Sequence, residues 1–265
     1  MDRNLRIICA ITYIMKVFLD WGAEGMEAAV ARGDIIALID VLRFTSAAVT
    51  AVNSDFTVFP ARNDQHAKAL ALECNACLNG EGLGALSPGS FIRKKPCRVV
   101  LPSPHGATLC FNAVHAKGLF IASFLNLSAV SKTLQAAIEF SGQSISIIPS
   151  GEIRSSEMDP IPDFEHRLGT GNKIFCFEDY ICAGAISHAL RAKKTDALLR
   201  AEKEFLLHSK NLENSLLSCA SGKYLVDCGF AADVKFCSQL DRFSVVPVVS
   251  ECSPYLTISK RRDDD

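Results

Sequence analysis

Three polar clusters in this 265-residue chain each follow a short apolar run, and each could hold an oxyanion or a hard cation. The first is Asp40, behind Ile35-Ile36-Ala37-Leu38-Ile39, with Arg43, Thr45 and Ser46 just after it. A carboxylate there suits Mg²⁺, which takes one or two carboxylates and fills its shell with water and substrate oxygens. An arginine three residues on, near a helix start, suits an oxyanion. The second cluster, Ser103-Pro104-His105-Gly106-Ala107-Thr108, offers hydroxyl and backbone donors. The third is Ser123, with Asn126 three residues later. Glu178-Asp179 open an apolar helical stretch, where carboxylates can ligate a metal, act as a base or simply offset the helix dipole. Glu81, between Gly80 and Gly82, is either a ligand or part of a plain turn. A strand-end aspartate such as Asp40 is also a ready helix cap.

These clusters need elements to position them. Residues 35–39, 57–60, 98–101, 119–122 and 145–148 are short apolar runs of buried-strand type. Helical periodicity is expected over 64–78, 128–140, 177–191 and 194–208, with a Thr/Ser/Ala-rich helix start at Thr45. A closing strand is expected at 245–249. Strands alternating with helices mean an α/β layered fold, and in such folds ligands gather at the C-terminal ends of the strands. The chain reads as one domain over 1–259, with a charged tail at 260–265 and a long Pro- and Gly-containing loop at 150–173.

Composition excludes several functions. With 28 Lys plus Arg against 29 Asp plus Glu the net charge is −1, so neither nucleic acid nor an anionic membrane is the expected partner. The apolar stretch 5–19 is broken by Arg6 and Lys16 and is too short to span a bilayer, so a buried first strand and a cytoplasmic protein are expected. An odd count of 11 cysteines in a chain this long reads as buried reduced thiols. Cys74 and Cys77 form the single CxxC pair, with no second pair to complete a zinc site. The histidines show no metal-ligand spacing, and His105 stands apart only by its loop.

Read in order, these segments resemble the 2-phosphosulfolactate phosphatase (ComB-like) family. Ile39-Asp40-Val41-Leu42-Arg43-Phe44-Thr45-Ser46 is similar to its strand-D-V-L-R signature. Trp21-Gly22, Gly80-Glu81, Leu101-Pro102-Ser103-Pro104-His105-Gly106-Ala107-Thr108-Leu109, Asn126-Leu127-Ser128-Ala129-Val130 and Glu178-Asp179 with Ala183-Gly184-Ala185 follow in the family's order. Ser221-Gly222-Lys223, Gly229-Phe230, Asp233-Val234 and Asp241 complete the pattern, so the likeness covers roughly residues 17 to 250.

The resemblance implies a three-layer α/β/α fold with a mixed sheet. It also implies a Mg²⁺-dependent phosphatase acting on the phosphate ester of a small 2-hydroxy acid, as in coenzyme M synthesis. Catalytic roles then fall on Asp40, Arg43, Glu178 and Asp179, and metal ligation on Asp40, Glu81, Glu178 and Asp179. Thr45, Ser46, Ser103, His105, Gly106 and Asn126 would contact substrate. The partner is a small phosphorylated hydroxy acid, and a homodimer is left open. The nucleophile is either a water on the metal or the Asp40 carboxylate, with water favoured because Asp40 serves Mg²⁺ better as a ligand. Three departures stand out: His105 in place of the usual Asn, Ala107 in place of a hydroxyl residue, and no arginine after Glu81. They support an alternative, a relative that binds a small anion without turning it over. A redox or structural role for the cysteines is a third reading.

Overall fold

The computed structural model describes residues 16–80, 82–153, 173–252 and 254–261. Glu81, the loop portion 154–172, the apolar stretch 5–15 and most of the charged tail lie outside the described residues. The strands are β1 (Lys16–Leu19), β2 (Ile35–Ile39), β3 (Thr57–Ala61), β4 (Cys77–Leu78), β5 (Arg98–Pro102), β6 (Leu119–Ala122), β7 (Ile145–Pro149), β10 (Lys193–Lys194), β11 (Pro247–Cys252) and β12 (Tyr255–Lys260). They form one mixed sheet in the order β10-β1-β7-β2-β6-β11-β12-β3-β5-β4. A separate ribbon pairs β8 (Glu152–Ile153) with β9 (Lys173–Ile174), so the ends of the expected long loop are themselves paired.

The helices are α1 (Gly22–Arg32), α2 (Phe44–Asn53), α3 (Asp64–Glu73), α4 (Gly106–Asn112), α5 (Leu127–Ala136), α6 (Phe177–Ala189), α7 (Asp196–His208), α8 (Leu212–Ser218), α9 (Ala220–Asp227) and α10 (Ala231–Cys237). Period-2 alternation along the central strands assigns them to two layers. Ala37 and Ile39 of β2, with Phe120 and Ala122 of β6, pack in one apolar cluster with α5, α6 and α7. Ile36 and Leu38 of β2, with Leu119 and Ile121 of β6, pack in another with α1, α2 and α4. β2 is therefore covered on both faces, which is why it reads as an unbroken apolar run. The result is the expected three-layer α/β fold.

Several boundaries differ from the expectation. The helix expected over 64–78 ends at Glu73; Cys74 caps it, and Cys77–Leu78 becomes the edge strand. Lys194 belongs to β10 rather than to the following helix, which starts after the Thr195 cap. The closing strand begins at Pro247 rather than Val245, because residues 241–245 bind the turn after β6: Phe243 N–H donates to Leu125 O (2.8 Å), and Val245 O accepts from Asn126 Nδ2 (3.1 Å). The strand β12 and the helices α1, α4 and α8–α10 were not foreseen; α4 and α8–α10 have only 7 or 8 residues each, too few for a helical period to repeat.

β10, β1, β7, β2 and β6 run parallel to one another, and so do β3, β5 and β4. The antiparallel hairpin β11–β12 joins these two blocks, through a single registered pair on each side, Val248 with Phe120 and Ile258 with Val58. The blocks thus run in opposite senses across the hairpin, yet the residues just past β2 and just past β5 are hydrogen-bonded to each other. The blocks are not laid flat side by side. They fold toward each other, and the C-terminal ends of β2 and β5 meet.

Candidate active site

Asp40 sits at that meeting point, 7 % exposed. Its Oδ1 accepts from Phe44 N–H (3.2 Å); Oδ2 accepts from Gly106 N–H (2.9 Å) and the Ser103 hydroxyl (3.4 Å). The turn beneath is locked locally. Thr45 Oγ1 donates to Asp40 O (2.8 Å) and accepts from Asp40 N–H (3.1 Å), while Ser46 Oγ donates to Val41 O (2.8 Å). The Leu42–Arg43 peptide in this turn is cis. Gly106 must be glycine: a Cβ would lie 2.6 Å from Asp40 Oδ2 and 2.5 Å from the Phe44 ring.

A cavity of about 500 Å³ opens over this turn. Asp40, Glu152, Glu178 and Asp179 all line it, with Arg43, Ser103, His105 and Ser150. The first turn of α6 delivers Glu178 and Asp179. Asp179 accepts from Val41 N–H (2.8 Å) and Ser150 Oγ (3.3 Å), tying α6 to the ends of β2 and β7. Glu178 accepts from the Cys219 thiol (3.4 Å) and from Ser221. Leu42, Leu83, Leu86, Phe175 and Leu225 make the apolar part of the wall.

The electrostatics of this floor are those of crowded, desolvated acids. Burial, followed by repulsion from Glu178 and Asp40, pushes the Asp179 carboxyl well above the usual carboxylate range; the Val41 and Ser150 hydrogen bonds only partly offset it. Burial also raises Glu178 against the opposing hydrogen bond from Ser221. Glu152 is raised by burial, with a counteracting pull from His105 and a further push from Asp40. The helix N-terminus favours the α6 carboxylates, but not enough to cancel their desolvation.

Arg43 also lines the cavity, yet its guanidinium is already engaged. Nη1 pairs with Asp233 and Nη2 donates to Leu83 O, and the group stacks 4.5 Å from the Phe230 ring centroid. Asp233 accepts a further hydrogen bond from Ser87 Oγ (2.7 Å). A bidentate grip on an oxyanion by both Nη atoms would require giving up these partners.

Asp40, Arg43, Ser103, His105, Glu178 and Asp179 are thus brought together, and Gly106 contributes through its N–H. Three residues expected to contact substrate are engaged by the backbone instead. Thr45 and Ser46 are fully buried and turn their hydroxyls onto the backbone of the Asp40 turn. Asn126 is fully buried too: Oδ1 accepts from Ser123 N–H (3.0 Å), and Nδ2 donates to Ile121 O and Val245 O (both 3.1 Å). Every polar atom of that side chain is consumed by backbone, so it holds the β6 turn rather than a ligand. Glu81 lies outside the described residues. Glu152 was missed, although it follows β7 by the same strand-end rule that marked Asp40. Asp233 belongs to the C-terminal part of the sequence pattern, but its pairing with Arg43, 190 residues away in sequence, is not visible there.

Among the described residues, no three His, Cys, Asp or Glu side chains converge as a ready-made metal cluster. The donor chemistry nevertheless fits Mg²⁺: hard carboxylate oxygens on one cavity floor, with buried negative charge and, among the described residues, one lining arginine that is already paired. Mg²⁺ needs just one or two of these carboxylates, the remaining positions being water and substrate oxygens.

A family profile described as 2-phosphosulpholactate phosphatase matches residues 23–252. A probable 2-phosphosulfolactate phosphatase of Pseudothermotoga lettingae is 31% identical over 233 residues, covering 84% of this chain and 92% of that protein. Proteins of the same description from Carboxydothermus hydrogenoformans (26% identical, 82% of this chain and 87% of that protein) and a Cyanothece strain (24% identical, 88% and 96%) are similar over nearly their whole lengths. No helix among the described residues is long and apolar enough to cross a membrane.

Proposed function

Because the chain belongs to the 2-phosphosulfolactate phosphatase family, whose members are phosphoric monoester hydrolases, we propose that it hydrolyses a small 2-hydroxy-acid phosphate, 2-phosphosulfolactate or a close relative, with Mg²⁺ in the cavity above Asp40. One observation carries this reading: four carboxylates from three separate parts of the chain line a single cavity at the strand ends. Such a concentration of buried acid is unfavourable unless a cation completes it.

Asp40 and Asp179 would hold the metal, since Asp179 is already tied to the Asp40 turn through Val41 N–H. When bound, the ion neutralises phosphate charge and makes water a better nucleophile. The chain's own residues do the rest. Gly106 N–H and the Ser103 hydroxyl fix the Asp40 carboxylate, and His105 at the cavity wall presents a donor to the ester. Water attacks phosphorus and the bond to the ester oxygen breaks. The attacking water gives its proton to Glu152 or Glu178, whose proton affinity burial has raised, and the leaving alkoxide takes one from His105. Both Asp40 oxygens accept hydrogen bonds, which lowers their nucleophilicity and favours water over Asp40 as the attacking group. The many free thiols suit a reducing setting, and we place the protein in the cytoplasm.

The test is phosphate release from 2-phosphosulfolactate, phospholactate and phosphoglycerate, with Mg²⁺ and with EDTA. Mg²⁺-dependent release from at least one ester is expected. Tight binding of the esters with no release by folded, Mg²⁺-supplied protein would replace the reading with that of an anion-binding relative. An acyl-phosphate trapped on Asp40 would overturn the choice of water.

A further inference from the structure

Cys77 and Cys97 face each other at the open edge of the sheet. β4 is the terminal strand, parallel to β5 with Cys77 opposite Val99. Cys97 immediately precedes β5 and stays in line with it, its carbonyl accepting from Thr57 N–H of β3 (3.3 Å). Both side chains are exposed, and their thiols are in hydrogen-bond contact. The CxxC spacing suggests a different pair, Cys74 with Cys77. The fold separates them: Cys74 is buried in an apolar cluster with Phe59, Ala67 and Leu70, while Cys77 is exposed on the edge strand.

The two cysteines bracket a segment that builds one wall of the cavity. Leu83 and Leu86 line it, Leu83 O accepts from Arg43, and Ser87 Oγ donates to Asp233. Inside the segment Asn79 acts as a brace: Nδ2 donates to Ala85 O (3.0 Å) and Ser90 Oγ (2.8 Å), and Oδ1 accepts from Lys94 Nζ (2.6 Å). A covalent tie at its two ends would anchor that wall at its base.

We propose that Cys77 and Cys97 are a disulfide site, at which a small-molecule disulfide closes residues 77–97 into a covalent loop beside the cavity. The Cys77 thiolate attacks one sulfur of the small disulfide, forming a mixed disulfide and releasing one small thiolate. The Cys97 thiolate then attacks the Cys77 sulfur, and the second small thiolate leaves. The two protons given up by the cysteines end on the two small thiols, so the cysteines lose two electrons and the small disulfide gains them. Partial burial and the adjacent Cys77 raise the proton affinity of the Cys97 thiol, and Lys94 opposes that rise and assists its ionisation for the second step. Such exchange suits a reducing compartment, where disulfides are transient.

The test uses the full chain and oxidised glutathione, with remaining thiols blocked by an alkylating agent and peptides mapped without reduction. Cys228, the other exposed thiol among the described residues, is the internal control. The expected result is a Cys77–Cys97 cross-link within one chain, while Cys228 keeps a glutathione adduct. In Cys97→Ser the adduct is expected to stay on Cys77. Stable glutathione adducts on both Cys77 and Cys97 of the wild type, a Cys74–Cys77 link, or unreacted Cys77 and Cys97 beside a modified Cys228 would each overturn the proposal.

Discussion

The turns after β2 and β6 leave neighbouring parallel strands at the same end of the sheet, and both carry buried polar side chains, Asp40 in one and Ser123 with Asn126 in the other. They do different things. The β6 turn is covered: Asp241 N–H donates to Phe124 O (2.9 Å), Phe243 N–H to Leu125 O (2.8 Å), and Asn126 spends each polar atom on backbone. The Asp40 turn is held from below by Phe44, Thr45 and Gly106, while its other side meets the cavity. The polar residue at a strand end does not decide the role. The segment that returns to cover it does, and here the stretch 241–245 covers one turn and not the other.

The sharpest way to break this contrast is Asp40→Asn. The new amide N–H would oppose the Gly106 and Ser103 donors, and one negative charge would leave the floor. Phosphate release is expected to fall by about a thousandfold or more, in the range seen when a transition-state-stabilising group is lost. Activity within tenfold of wild type would remove Asp40 from the site. Next comes Gly106→Ala. The added methyl must displace Asp40 or Phe44 by about an ångström, and misplacement on that scale costs on the order of a hundredfold in turnover. A variant with full activity and an unchanged melting temperature would show that the close approach of Gly106 is not required.

The matching change in the covered turn is expected to behave in the opposite way. Asn126→Ala leaves Ser123 N–H and the carbonyls of Ile121 and Val245 without their partner in a fully buried place. The expected cost is about 2–3 kcal/mol of stability, which for a chain of this size is a melting temperature roughly 5–10 °C lower. Turnover measured well below that temperature should stay within about twofold of wild type. A large loss of turnover with unchanged stability would return Asn126 to the list of substrate contacts.

The same pair of turns shows what the sequence could and could not reveal. The layers were legible because β2 and its neighbours are unbroken apolar runs between helical stretches, and Asp40 was legible because it follows one of them. Ser103, His105 and Gly106 followed by the same rule, although only the fold explains why the ends of oppositely directed strand blocks should meet. Asn126 obeys the rule equally well, but the cover over its turn comes from residues more than 100 positions later. Glu152 satisfied the rule and was overlooked inside a stretch read as loop. The Arg43–Asp233 pair and the Cys77–Cys97 contact depend on long-range packing and strand register, which local patterning does not encode.

The smallest effect concerns the charge balance of the cavity floor, and its sign follows from the raised proton affinity of Asp179 and Glu178. Below the ordinary carboxylate pKa, near about 4, both folded and unfolded chains are protonated at these positions and nothing is gained or lost. As pH rises above that value the unfolded chain releases its protons first, while the folded chain still holds them. Unfolding is therefore favoured progressively until the raised folded pKa is passed, so these two groups make the metal-free protein less stable as pH increases through the window. A divalent cation replaces the lost protons, so the rise in melting temperature given by Mg²⁺ over EDTA should itself grow with pH. In Asp179→Asn, which keeps the shape but not the charge, both the metal-free decline and the Mg²⁺ increment should shrink. Melting curves of the two proteins from about pH 5 to 8, with Mg²⁺ and with EDTA, measure this directly. Equal slopes in wild type and variant would mean that the Asp179 carboxyl is not the strained acid of the floor, and the contrast between the open and the covered turn would then rest on Asp40 alone.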